Sequence, residues 1–171
     1  MSATAQTTAG PNRRAAALAQ RIEEGADLLA AFAEQLSDAE WAMPVTSTDR
    51  RSIGVIVNHV ATVYPLEVQA AEAIGRGVAV MDVTPEAIAD LNANHAGENQ
   101  GRSKAETIEL LRRNSREAAA AVRKFTDEQL DQAAPFGLSF GAPVTAQFVI
   151  EDHAVRHSWH HLARIRKAVE R

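Results

Sequence analysis

The sequence predicts an all-α protein, an antiparallel four-helix bundle with short extra helices in its connections. Three observations carry that expectation. Four long stretches space their aliphatic residues three to four apart, the period of a helix with one buried face. Hydrophobic residues make up 46% of the chain but aromatics only 5%, which suits close-packed helices of small and aliphatic side chains better than a β-sandwich. A strand pair is suggested only weakly, around Phe136 to Phe140, within a stretch from Ala134 to Pro143 that otherwise reads as loop.

The elements follow in order. Pro11 opens a helix to about Leu36, with Leu18, Ile22, Leu28, Leu29, Phe32 and Leu36 at helical spacing and Gly25 as an interruption. Ser37-Asp38-Ala39-Glu40 has the pattern of a capping box and opens a short turn; Pro44 to Asp49 reads as loop. A second long helix runs from Ser52 to Ile74, ended by Gly75 and Gly77. Thr84-Pro85 places an N-cap before a proline and predicts a short helix to about Asn94. Ser103 to Glu106 forms another capping pattern and opens a helix to Phe125, and Thr126 to Gln129 repeats it for a short turn. Thr145 caps a last helix reaching Val169. The expected organisation is one bundle domain over residues 11–171 with a frayed tail over residues 1–10.

Composition excludes several function classes. A formal charge of −4 argues against a general nucleic-acid surface, and arginines such as Arg50, Arg51, Arg112 and Arg113 read as helix-surface residues. An apolar run long enough for a membrane span is missing, and the start of the chain does not have the order of a secretory signal. The absence of cysteine removes disulfides, thiolate ligands and a cysteine nucleophile, and it is compatible with a cytoplasmic setting. Alanine-rich faces allow the close helix approach of a homodimer.

Four of the six histidines, His153, His157, His160 and His161, fall on the last predicted helix. Such a cluster is either a wet polar face or a set of rings that point inward. On a wheel of about 100° per residue, His161 sits at the centre of the stripe formed by Ile150, Ala154, Ile165 and Ala168. His157 is close to that centre, and His153 and His160 lie at its edge. The pair His157 and His161, one turn apart, can reach one ion. On the second helix His59 borders the stripe of Ile56, Val60, Val63 and Ile74, and Glu67 falls within it. A carboxylate there needs a partner or a nearby cation. A lone inward histidine is ordinarily a hydrogen-bonded core residue, so the metal reading rests on two helices offering inward histidines together. Pro65, between His59 and Glu67, is expected to kink the helix. His95 reads as a loop residue near a helix break. Asn58 and Asp152 read as capping or hydrated residues, and Trp159 as packing against another helix or a partner subunit.

Two segments, "RSIGVIVNHVATVYPLE" and "HSWHHLARI", resemble the DinB-like superfamily. That resemblance implies a four-helix bundle with one metal-binding histidine on the second helix and an H-x-x-x-H pair on the last, followed four residues later by isoleucine. His59, His157, His161 and Ile165 match those positions. Relatives implied by the resemblance include thiol-dependent transferases that use mycothiol or bacillithiol, and maleylpyruvate isomerase. The alanine- and arginine-rich style resembles actinobacterial proteins, which makes mycothiol the first thiol to test.

Three neutral imidazoles leave at least one coordination position open, as a catalytic site requires. Zinc is the default ion; nickel, iron and manganese accept the same ligands. The expected function is therefore a metal-dependent enzyme, a thiol-dependent transferase in which Glu67 accepts a proton or orients a ligand. The contrasting expectation is a stress-related protein that binds a metal or small ligand without catalysis.

Overall fold

The computed structural model describes residues 12–170, so the expected tail over residues 1–10 lies outside the described residues. The long helices are α1 (Arg13–Gln35), α3 (Ile53–Gly75) and α5 (Lys104–Val122), and a composite rod ends the chain. That rod consists of α7 (Ala146–Val149), a π-helical turn (Ile150–Val155) and α8 (Arg156–Val169). Shorter helices α2 (Asp38–Ala42), α4 (Pro85–Glu98) and α6 (Asp127–Asp131) lie in the connections. The caps explain the boundaries. Ser37 and Thr126 form reciprocal capping boxes with Glu40 and Gln129. The side chains of Ser52, Thr84, Ser103 and Thr145 each accept from a backbone N–H in the first turn of their helix.

α1 packs on α5 and α8, whereas α3 packs on α5 and on the terminal rod. The four long elements therefore stand in the ring order α1, α5, α3, rod. Two of the three successive long-helix connections cross the bundle diagonally, unlike a simple up-and-down bundle. The core between them is aliphatic and rich in alanine. Ala15, Ala19, Ala26, Ala30 and Ala33 line α1, facing large buried side chains that include Ile56, Leu111 and Ile165. Leu28, at core spacing in the sequence, is exposed instead. Gly25 has a packing reason, because a Cβ there would stand 2.7 Å from Nε1 of Trp159, which lies over α1.

The strands are real but lie at the two ends of the expected loop. β1 (Ala133–Pro135) pairs antiparallel with β2 (Pro143–Thr145), with Ala134 opposite Val144. The intervening turn carries Phe136 into the core. Val80 N–H donates to Pro135 O and Gly137 N–H to Val80 O, so the α3–α4 connection lies against the hairpin. A Cβ on Gly137 would meet Val83 O at 2.4 Å, a contact only glycine avoids.

Two side chains repair the irregular places around α3. The helix continues through Pro65, which has no N–H to offer the carbonyl of Ala61. Asn114 of α5 supplies the missing donor, its Nδ2 standing 2.8 Å from Ala61 O. In the loop before α3, Asp49 accepts from Arg51 Nε at 2.9 Å and Nη2 at 2.8 Å. It also accepts from Arg164 Nη2 of α8 at 3.0 Å, which ties loop to rod. Arg51 is thus a half-buried ion-pair partner and not the free surface arginine the sequence suggested.

The paired guanidinium of Arg51, and then that of Arg164, holds the Asp49 carboxyl well below the usual carboxylate range. A depressed folded-state pKa stabilises above the unfolded value of about 3.9 and loses that contribution as pH falls below it. Asp49→Asn is expected to cost about 1 kcal/mol at neutral pH, with solvent screening part of the pair. Urea midpoints taken below pH of about 4 should show the difference from the parent protein shrinking. Asn114→Leu leaves Ala61 O unpaired and is expected to cost about 1–3 kcal/mol by the same measurement.

Candidate metal centre

The ring order makes α3 and α8 neighbours, and their register is pinned by a buried hydrogen bond of 2.6 Å between Tyr64 Oη and Ser158 Oγ. His59 lies about one and a half turns before Tyr64 on α3, and His157 directly precedes Ser158. That register brings His59, His157 and His161 together, with one ligand atom from each lying within 4.8 Å of the other two. His59 and His161 are buried and His157 is half-buried. The ring centroids of His157 lie 4.9 Å from those of both His59 and His161.

Glu67 determines how this cluster is wired. Its Oε1 stands 2.5 Å from Nδ1 of His157, so that nitrogen carries the proton and donates it. His157 Nε2 is then the nitrogen turned toward the cluster, and it lies 3.1 Å from His59 Nε2. Burial first, and then the neighbouring His157, pushes His59 down to about 3 and His161 down to about 2, so both rings are neutral at physiological pH. Neutral imidazoles whose ring nitrogens converge are the donor set of a divalent ion. Nitrogens that share an ion at a bond length of about 2.0–2.1 Å lie about 3–3.5 Å apart, and the His59–His157 separation fits. Among the described residues, Glu67 Oε2 and His161 Nδ1 are buried with no hydrogen-bond partner, which leaves this corner polar and unsatisfied.

The remaining histidines separate cleanly. His160 is exposed and meets His161 edge-on at 5.0 Å, outside the cluster. His153 sits on the π-helical turn, half-buried, edge-on to Phe136 at 5.7 Å, and burial lowers its pKa. His95 departs from expectation. α4 continues to Glu98, and His95 is its buried side chain. Its Nε2 lies 2.9 Å from Asn58 Oδ1, and Asn58 Nδ2 donates to Thr107 Oγ1 at 3.3 Å. Asn58 is therefore a buried bridge between α4 and α5, not a hydrated surface group, and it is the residue just before His59. The sequence signal for this was a lone amide inside the apolar run "IGVIVNHVATV". The backbone carbonyl of Asp152 accepts from Arg156 Nε at 3.1 Å, and its carboxylate pairs with the same guanidinium near the surface.

A cavity of about 810 Å³ opens from the three histidines and is bounded by α3, α4, the hairpin and the terminal rod. Glu67, His153, Arg156 and Arg51 line it together with the cluster. Such a volume is in the range of small-molecule sites.

A model of the DinB superfamily matches residues 21–165. Among solved structures, the chain is similar to YfiT from Bacillus subtilis, described as a probable metal-dependent hydrolase with an unusual four-helix bundle topology. The two agree with a TM-score of 0.73 over 99% of this chain and 94% of that one. At 17% identity, that likeness carries the fold. A curated NAD-dependent protein deacylase of Mycolicibacterium paratuberculosis is 42% identical over 55 residues. That stretch is 32% of this chain, and the chain spans 23% of the deacylase's length.

His157→Ala and His161→Ala are each expected to abolish zinc uptake measured by elemental analysis, while His160→Ala leaves it intact. Glu67→Gln removes the acceptor that orients His157 and should weaken zinc affinity by about 10–100-fold. Equal losses from all four variants would contradict the geometry.

Proposed function

Because this chain belongs to the DinB superfamily, we propose that it is a metal-dependent enzyme, a transferase that adds an external thiol to an electrophilic substrate. The observation that carries the reading is the convergence of His59, His157 and His161 at one end of an open cavity. These three residues would hold the ion. A divalent ion in that position lowers the pKa of a water or thiol bound to it and polarises an electrophile. Zinc is the first ion to test, followed by nickel, iron and manganese.

The chain's own residues take the other roles. Glu67 Oε1 accepts from His157 Nδ1–H and keeps that ring's other nitrogen free. Glu67 Oε2, buried without a partner, accepts the proton that the incoming thiol loses as its sulfur attacks carbon. The same oxygen returns the proton to the leaving group. Because the chain has no cysteine, the thiol arrives as a cosubstrate, and a mycothiol-type molecule is the reading we favour. If water replaces the thiol in the same steps, the enzyme is a hydrolase; the description of YfiT favours that second reading.

Among the described residues, no helix is long and apolar enough to cross a membrane. We place the protein in the cytoplasm as a homodimer. The exposed apolar pair of Leu28 on α1 and Trp159 on α8 supports the homodimer.

The test compares zinc-loaded and chelator-stripped protein across thiols and electrophiles. Turnover that needs both metal and thiol is expected, with Glu67→Gln lowering kcat at saturating zinc by about 10²–10⁴-fold. Turnover that needs metal but no thiol would make the protein a hydrolase. Zinc binding with no turnover on any pair would leave the non-catalytic, stress-related binding reading in its place.

A further inference from the structure

The cavity does not end at the histidines. On α3 its lining includes His59, Val63, Leu66, Ala70 and Ala73, each three or four residues after the last. One face of α3 therefore forms a continuous floor from the cluster to Ala73, about 21 Å at the helical rise of 1.5 Å per residue. With distance from the histidines, the floor turns from imidazole to aliphatic and then to methyl side chains, which leave room. α4 provides the facing wall. Its Ile88 and Leu91 line the cavity, and of its side chains only His95 is buried. The apolar stripe of α4 thus finds no core to pack into and is turned toward the cavity. Leu66 and Leu91 are 48% and 39% exposed, more than large aliphatic side chains flanking a closed core would be. The His95–Asn58 hydrogen bond holds this wall in place.

We infer that the electrophilic substrate is an elongated molecule with an aliphatic body, whose reactive head lies at the three histidines and whose tail lies between α3 and α4. The inference rests on the metal reading above and adds the chemical class of the substrate to it. A polar thiol cosubstrate enters by the charged side, where Arg156 and Asp152 line the mouth. Polar groups such as Gln69 and Asn92 punctuate the floor and wall, but their greater part is aliphatic, and each methylene of an alkyl chain gains by leaving water there.

Alkyl hydroxamates separate the two parts, because the hydroxamate head ligates a bound ion and the tail reads the channel. Zinc-loaded protein is titrated calorimetrically with acetohydroxamate, hexanohydroxamate and decanohydroxamate. Affinity is expected to rise by about fourfold per added methylene until the channel is filled. Ala70→Trp, which fills the floor, should cut off the gain for the long chains and leave acetohydroxamate binding unchanged. Leu91→Asp, at an exposed position of α4, should do the same and guards against a misfolded α3 variant. Equal affinities for all three hydroxamates would overturn the substrate class and leave the metal centre standing. Failure of acetohydroxamate itself to bind zinc-loaded protein would overturn both, and elemental analysis of the same sample shows whether the ion was held.

Discussion

The organisation of this molecule depends on one constraint: three imidazoles that are to share one cation must each turn an unprotonated nitrogen to a common point. Protonated rings at these separations would repel one another and would lose their hydration together. The hydrogen bond between His157 Nδ1 and Glu67 serves that constraint, because it fixes which of the two ring nitrogens of His157 faces the cluster. That nitrogen, Nε2, stands 3.1 Å from Nε2 of His59. Burial keeps the other two rings neutral. The result is an arrangement poorly satisfied by protein groups alone and well suited to a cation.

The fold exists in a form that makes this pairing possible. In a simple up-and-down bundle, helices adjacent in sequence are adjacent in space. Here the diagonal crossings put α3 beside the terminal rod, although more than seventy residues separate them in the chain. The Tyr64–Ser158 bond then sets their relative height within a dry interface. Asn114 and the Asp49 pairings carry out the same task at the edges, one by mending a helix that Pro65 would otherwise weaken, the other by fastening the loop that leads into it.

Much of this was legible in the sequence because periodicity and capping are local signals. The four long helical stretches, their caps and the inward stripe that selects His157 and His161 over His160 all follow from spacing along one helix. Spacing along the second helix put His59 at the border of its own buried stripe, the DinB-like resemblance matched it with that pair, and one nitrogen from each ring lies within 4.8 Å of the others. The features that were missed are set by distant partners. His95 looked like a loop residue because Gly97 and Gly101 stand close by, yet its hydrogen bond to Asn58 draws it onto a helix that runs on to Glu98. Asn58 is held chiefly by residues some forty to fifty positions away, so its place inside an apolar run hinted at its burial but not at its partners. The strands of the hairpin were displaced from Phe136 to Phe140 because the α3–α4 connection pairs with that segment and draws Phe136 into the core.

The π-helical turn at Ile150–Val155 was invisible to a wheel drawn with one pitch. Its wider hydrogen-bond span gives a single rod two rotational phases. The upstream phase, with Val149, Ile150 and Ala154 fully buried, is committed to the interior. The downstream phase is free to aim its imidazoles across at α3. A protein built this way can retune the direction of its ligands, for a cation of different radius or for a different entering molecule, by lengthening or shortening the turn, while the hydrophobic half of the rod keeps its packing.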